Sequence, residues 1–362
     1  MLSISKVSLN ELKLFNDVTG LTEMEFLPIS KARAISFMAN PRAKSNENVL
    51  YQAHWNDELV AYLTVLPDTA FVNNHPVQFA WISGAWVHPN YRRQGIATKL
   101  IDTVVSDWNG MLMATNFSQI TGAVFEKTKT FRTVKLIEGQ RFYLRKTLLS
   151  SYSCYKHSNS YKYLVEKTIN LFNYSTLTRK FLSLPKGVEI EYLIRPDEEI
   201  IQKLRLSTTN TLTQRGAEEI NWIIRYPWLI NGLLPDRAAQ KFFFASVIPS
   251  FTCYLVKVFR DDELIGVLLM QHSNTRFTIP YYWFDDKTEI VMAKVILLHA
   301  SKCKASFINI YNQKIINAMQ ELRVFYFYSK RRSRQYIAAD NMVNIIGNNF
   351  NLMDGDGDSA FI

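Results

Sequence analysis

Cysteine is scarce in this chain. The three present, Cys154, Cys253 and Cys303, are far apart and odd in number, which excludes a disulfide framework and any zinc-binding spacing. Buried free thiols are expected, and no metal. Glycine and proline are also few, at 13 and 11 residues, which argues against a disordered or low-complexity chain. No apolar run approaches the roughly 18 residues needed to cross a bilayer. The opening residues Met1 to Lys6 lack the long apolar core of a secretion signal, so a soluble, cytoplasmic protein with no membrane partner is expected.

What remains is plentiful core-building material, 48% hydrophobic and 13% aromatic over 362 residues, a length that favours two domains. The formal charge of +10 suits a phosphate-bearing partner such as coenzyme A, nucleic acid or anionic lipid. The basic residues are scattered, however, with clusters only at Arg92 and Arg93 and at residues 330–334. The second cluster reads more readily as a solvated hairpin or loop than as a surface for RNA or membrane, and nucleic acid is not expected as a partner.

One stretch organises the rest. Residues 78–87 are rich in β-branched, aromatic and small side chains, as a buried strand should be, and Pro89 stops that strand. A basic turn follows, and then Leu100, Ile101, Val104, Val105 and Trp108 recur at helical spacing. A helix start offers unpartnered N–H groups and partial positive charge to a phosphate. Gly95 would let backbone approach the ligand, Ala97 keeps bulk out of the same space, and Arg92 and Arg93 add charge and paired donors. The bland alternative, a basic surface turn joining a core strand to a core helix, accounts for the charges but not for Gly95 and Ala97.

Arg92, Arg93, Gln94, Gly95, Ile96 and Ala97, with Val87-His88-Pro89 before them and Leu100-Ile101 after, resemble the pyrophosphate-gripping signature of the GNAT N-acetyltransferases. The resemblance implies an α/β fold built on a mixed, mostly antiparallel sheet flanked by helices, with acetyl-CoA wedged between two splayed parallel strands. It implies a cofactor site made by Trp86, Val87, Arg92, Arg93, Gln94, Gly95, Ile96, Ala97, Thr98 and Ser118. It implies direct attack of an acceptor amine on the thioester, with an N–H around Trp86 to His88 polarising the carbonyl.

The chain departs from the family where many members carry an Asn and, seven residues later, a proton-donating Tyr; here these positions hold Ser118 and Phe125, with Asn116 nearby but out of register. Phe125 cannot donate a proton, so Tyr143 or Tyr91 stands in as the candidate acid, or solvent does the job, since a CoA thiol is a tolerable leaving group. His88 is the candidate base, although this position often holds His without a catalytic duty in the family. Ser83 reads as a small core residue and Glu58 as a solvated turn residue.

Either side of this stretch the pattern predicts helical pieces over residues 10–15 and 28–38, a hairpin of strands 48–55 and 59–66 about a turn at 56–58, a strand at 110–117, a helix over 118–127 capped by Ser118, and a closing strand at 142–145. A serine-rich break at 150–161 separates the halves. The second half echoes the first: Asp262 to Met270 resembles Asp57 to Val65, Trp283 falls where Trp86 fell, and residues 304–313 resemble 113–119. That order favours a tandem duplication, with domains at 1–150 and 187–362 and a linker at 151–186.

The second copy has no cradle. Asp285, Asp286 and Glu289 stand where the glycine turn would be, and three acids repel a pyrophosphate. A helix over residues 218–225 is expected to roof this second unit. The tail carries Asp354, Asp356 and Asp358 in alternation but lacks the bidentate Glu of a calcium loop. It reads as an acidic turn, or as a carboxylate entering the acceptor pocket. The function expected is an acetyl-CoA-dependent N-acetyltransferase with an amine acceptor, acting as a monomer. The alternatives are a non-catalytic acyl-CoA sensor and an aminoacyl-tRNA-dependent transferase.

Overall fold

The computed structural model describes residues 1–15, 25–145, 168, 184–208, 211–233, 240–322, 328–347 and 349–362. Cys154, the helix expected over 163–172 and most of the expected linker lie outside the described residues.

The first half runs β1 Leu2–Ser8, a 3₁₀ turn Glu11–Phe15, α1 Lys31–Met38, β2 Asn48–Trp55, β3 Glu58–Val72, β4 His75–Val87, α2 Ile96–Asp107, β5 Leu112–Thr115, α3 Gln119–Thr128 and β6 Phe131–Tyr143. The second runs β7 Val188–Leu193, α4 Glu198–Thr208, α5 Ala217–Arg225, the short β8 Ile230–Asn231 and β9 Val247–Ile248, then β10 Phe251–Arg260, β11 Glu263–Ser273, β12 Arg276–Phe284, α6 Glu289–Lys302, β13 Phe307–Ile310, α7 Gln313–Glu321, β14 Tyr328–Ala339 and α8 Asp340–Ile346.

The echo between the halves is visible in the backbone. Asn56 and Asp57, between β2 and β3, take φ of 48° and 68°; Asp261 and Asp262, between β10 and β11, take 49° and 68°. Two successive left-handed residues make the tight turn whose twist matches a hairpin, and Asn and Asp tolerate that conformation. In each half a third strand follows, then a helix, then a strand parallel to the third: β4 with β5, and β12 with β13. The two halves are tandem copies of one mixed-sheet unit. β3 runs longer than expected, to Val72, and Asn73 and Asn74, at φ 50° and 65°, turn it directly into β4. Residues 330–334, expected as a solvated hairpin or loop, lie in the largely exposed first part of β14.

The chain packs as two units that do not follow the halves. One comprises Met1–Leu136, Arg195–Pro249 and Arg334–Ile362; the other comprises Ile137–Ile194 and Ser250–Ser333. In the first, β5 takes β14 as its antiparallel neighbour, with Thr115 opposite Tyr336 and Ala114 opposite Ile337. In the second, β13 takes β6, with Phe307 opposite Tyr143 and Ile310 opposite Gln140. Each copy gives its last strand to the other copy's sheet. The expected divisions near 150 and 187 therefore do not mark the packing units, and α5, expected over the second unit, belongs to the first.

Side-chain chemistry explains that assignment. Trp222 of α5 is buried and its indole donates to the Ser36 carbonyl of α1 at 2.7 Å. Phe361 stacks on Trp228 at 4.9 Å between ring centres and tilts against Trp222 at 4.6 Å. Burying one such ring stabilises by about 2–3 kcal/mol. The opposite face of the first sheet carries α2, whose Ile96, Leu100, Ile101 and Val104 pack on Ala80, Ile82, Leu112 and Ala114. So the sheet has α2 on one face, and α1, α5 and the chain's last residues on the other.

The second unit is built around α6, buried from Val291 to Ala293 and from Val295 to Ser301. Inside it His299 donates from Nδ1 to the Val295 carbonyl at 2.7 Å, which leaves Nε2 to accept from the Tyr192 hydroxyl at 2.9 Å. Both roles require a neutral ring. Burial accordingly pushes the pKa of His299 down, and that of His272 also. A histidine whose folded pKa lies below its unfolded value contributes full stability above about pH 6.5, and loses it as pH falls toward the folded pKa. Melting temperature should therefore drop between pH 7 and pH 5, and drop less in a His299→Gln variant, as a pair of thermal melts would show. Cys253 and Cys303 are free thiols here, and burial raises the pKa of Cys253 to about 12.

Candidate active site in the first unit

β4 and β5 run parallel only from Ala80 opposite Leu112 to Ile82 opposite Ala114. β5 then ends at Thr115 while β4 continues through Ser83 to Val87, so the strands part and leave β4 without a neighbour on that side. Toward β3, β4 bulges: Ser83 faces Thr64 and Trp86 faces Tyr62, with Gly84 and Ala85 in the space of Leu63 alone. Such bulges re-aim side chains beside functional sites. Gly84 has φ +69°, and a Cβ there would meet Nη1 of Arg33 at 2.7 Å, so only glycine lets the guanidinium lie against the bulge.

Beyond the bulge β4 leads to the basic turn. The His88 imidazole accepts from the Asn90 N–H at 3.3 Å, and the His88 N–H donates to Val60 at 2.8 Å. Arg92 Nε donates to the Val87 carbonyl at 3.1 Å, folding the turn back on the strand. Arg93 and Gly95 are both left-handed, at φ 64° and 77°, and Gly95 caps α2 with no atom within 4 Å of where its Cβ would stand. The result is an open concavity. It is floored by the first N–H groups of α2, at Ile96, Ala97 and Thr98, and rimmed by the exposed Arg92, Arg93 and Gln94. Trp86 is buried, 5.2 Å from Tyr62 and 5.0 Å from Phe26 in an aromatic cluster over the strand end.

Ser118 caps α3 by accepting from the Thr121 N–H at 3.2 Å, and it lines a cavity of about 410 Å³ with Phe117, Gly122, Phe125, Thr133 and Gln335. Phe125 is core, packed on Phe117 and Phe131. Tyr143, expected as the proton donor, is a residue of the second unit, stacked on Tyr328 at 4.0 Å; its strand β6 is longer than expected and ends in the other sheet. Tyr91 remains beside the cradle, but its hydroxyl donates to Glu58 at 2.9 Å, which also removes Glu58 from the plainly solvated class. The His88 N–H, part of the segment expected to polarise a carbonyl, is already engaged.

On the opposite face of the sheet the structure gathers residues that the sequence did not single out together. Arg33 of α1 donates from Nη2 to Ser83 Oγ at 2.5 Å, and its guanidinium lies 3.9 Å from the Trp228 ring. Burial lowers its pKa to about 10, so it stays charged at neutral pH. Ser83 in turn donates to Asp358 Oδ2 at 2.7 Å, and Asn116, at φ +56° just past β5, donates to Asp358 Oδ1 at 3.2 Å and Ser359 Oγ at 2.6 Å. Gly357, φ +79°, lies against the side chains of Thr115 and Trp81: a Cβ there would meet Thr115 Cγ2 at 2.8 Å. The tail carboxylate Asp358 therefore stands where β4 and β5 part. Alternation of Asp with Gly was the visible signal, and its partner could not be read from spacing.

Residues 18–109, which include α1 to α2 and so hold the bulge and the cradle, match the acetyltransferase (GNAT) family. Over these residues the chain resembles a GNAT domain. No curated protein sequence matches it. Among solved structures it is similar to a conserved protein of Enterococcus faecalis V583 described as a probable N-acyltransferase, at 12% identity over 96% of this chain and 73% of that one, TM-score 0.51. It is also similar to Saccharomyces cerevisiae N-myristoyltransferase with bound myristoyl-CoA, at 12% identity over 93% of this chain and 82% of that one, TM-score 0.51. A tandem GNAT protein from the clavulanic acid biosynthesis pathway aligns over 94% of this chain and 98% of that one, at 13% identity and TM-score 0.48. At such identities the likeness is one of fold.

The second unit has no equivalent cradle. Its helix α6 begins after Asp285, Asp286, Lys287 and Thr288, with Glu289 in the first turn, and Asp286 is paired with Lys314 at 2.5 Å. Among the described residues, no helix is long and apolar enough to cross a membrane.

Proposed function

We propose that the first unit binds acetyl-CoA and transfers its acyl group to an acceptor amine. The observation that carries this reading is the open cradle at the start of α2, where left-handed Arg93 and Gly95 lead into the helix beside the exposed side chains of Arg92, held to the Val87 carbonyl through Nε, and Arg93. A diphosphate there would gain backbone hydrogen bonds, the helix dipole and the charge of Arg92 and Arg93, with Gln94 as a further donor. The pantetheine chain would run along Trp86 and Val87 into the parting of β4 and β5, with Ser118 beside it. The thioester carbon would then stand at the gap, on the side of the sheet that carries α1, α5 and Asp358.

The amine nitrogen attacks the carbonyl carbon, the C–S bond breaks and coenzyme A leaves as a thiol. His88, capping the turn with one ring nitrogen, is better placed to shape the cradle than to serve as base. The second unit, acidic where the cradle would be, does not bind acyl-CoA of its own in this reading.

Calorimetric titration of the protein with acetyl-CoA tests the cofactor, and thiol release on adding spermidine, glucosamine or a peptide with a free N-terminus tests the transfer. Saturable binding with thiol release is expected. Binding without release from any amine would turn the reading toward a sensor, and no binding would sink it.

A further inference from the structure

We infer that Asp358 receives the acceptor's amine at the parting of β4 and β5 and takes its proton before attack. This rests on the transferase reading above and adds the group that reading lacks, since Phe125 is core, Tyr143 belongs to the other unit and His88 caps a turn.

The argument is one of placement and capacity. Asp358 is half-buried, so it is reachable yet held. Each carboxylate oxygen accepts one hydrogen bond, Oδ2 from Ser83 and Oδ1 from Asn116. An ionised carboxylate offers about four acceptor positions, so roughly two remain for an incoming ammonium. Ser83 fixes the direction: because Arg33 donates into its oxygen, the hydroxyl proton points at Asp358, and the carboxylate is held as an acceptor. Arg33 itself is buried, with Nε finding no partner among the described residues. A charged group is costly to bury so, and its place beside the Ser83–Asp358 pair indicates a site built to orient a polar ligand.

The protons balance as follows. The ammonium gives one proton to Asp358 and becomes a nucleophile. Its nitrogen forms a bond to the thioester carbon, and the tetrahedral adduct gives a second proton to the departing sulfur as C–S breaks. The third stays on the amide nitrogen, and Asp358 releases its proton to solvent.

The test compares wild type, Asp358→Asn and Asp358→Glu for acetyl-CoA affinity, melting temperature and thiol release, with spermidine, glucosamine and a free N-terminal peptide as acceptors across pH 6 to 10. A positioned base is worth about 10²–10⁴-fold. The Asn variant should therefore lose at least about 100-fold in kcat/KM near pH 7, with acetyl-CoA affinity and melting temperature held. The deficit should narrow above the acceptor's own pKa, where free amine is abundant, and the Glu variant should recover part of the rate. An Asn variant equal to an active wild type would overturn this inference alone. So would one that loses acetyl-CoA binding and stability along with activity at every pH, since that marks a structural role. A wild type that binds acetyl-CoA but releases no thiol would overturn the transferase reading, and this inference with it.

Discussion

Gly95→Glu should abolish acetyl-CoA binding while leaving the protein folded. No atom lies within 4 Å of the Cβ position, so the new side chain meets no steric clash. Its strain comes from φ +77° alone, about 1–2 kcal/mol for a residue with a Cβ. An acid at a helix N-terminus returns about 0.3–1 kcal/mol of that. Against a diphosphate the same carboxylate acts differently: two like charges 4 Å apart at an effective dielectric of 20 repel by about 4 kcal/mol. At 1.4 kcal/mol per decade, the dissociation constant should rise by well over 100-fold. Titration calorimetry reads that change and a thermal melt checks the fold. A Gly95→Asn control, which tolerates the left-handed backbone and adds no charge, should keep most of the affinity. A Glu variant that binds acetyl-CoA as well as wild type would show that the cradle is not the site.

Asp68→Ala should cost more in stability than any change at the protein surface. Asp68 is 1% exposed, and its carboxylate accepts from both Nη atoms of Arg215 at 2.9 and 2.6 Å, from Arg42 at 2.9 Å, from the Trp81 indole at 2.8 Å and from the Thr69 N–H at 2.8 Å. Burial alone would raise its pKa, but Arg215 and Arg42 outweigh that and hold it below the usual carboxylate value. Removing the carboxylate leaves two guanidinium groups in the interior with one partner fewer each, and breaking a buried pair this way costs about 3–5 kcal/mol. That is a large share of the 5–15 kcal/mol typical of a folded domain.

Arg42 also grips Glu219 at 2.7 Å and the carbonyls of Thr213 and Gln214. Thr213 donates to the buried Asp356 at 2.7 Å, two residues from Asp358, so the site should loosen together with the fold. Denaturant titration of the two proteins at pH 7 measures the loss; a difference under 1 kcal/mol would contradict the network's role. A depressed carboxylate pKa contributes stability above the unfolded value and loses it as pH falls. The gap between wild type and variant should therefore shrink below about pH 4.

Much of the first unit was legible before its structure because its signals are local. The strand before Pro89, the glycine at Gly95 and the helical spacing of Leu100, Ile101 and Val104 are each set by residues near in sequence, and they fall where expected in β4 and α2. Ser118 caps α3 as its side chain suggests. The hairpin at Asn73 and Asn74 carries its turn chemistry openly, as two residues that tolerate the left-handed region.

The elements that make the acceptor face are long-range and were not legible. Ser83 read as a small core residue because nothing nearby announces Arg33, 50 positions earlier, or Asp358, 275 positions later. Tyr143 was chosen for its proximity in sequence to a strand assumed to close its own sheet, and β6 instead closes the other. The exchange of last strands is a property of two sheets at once, and no periodicity within one strand encodes it.

That exchange also orders events on the ribosome. The Thr115 hydroxyl in β5 finds the carbonyl it donates to only after Gln335, 220 positions downstream, has been synthesised, and the strand that pairs with β5 arrives with it. At about 5–20 residues per second, this leaves the edge of β5 bare for a time on the order of 10–45 s. Bare strand edges recruit other strands, so the nascent first half needs shielding while it waits. The carboxylate that completes the acceptor face comes later still, and a chain halted before it would hold the cradle without the acid.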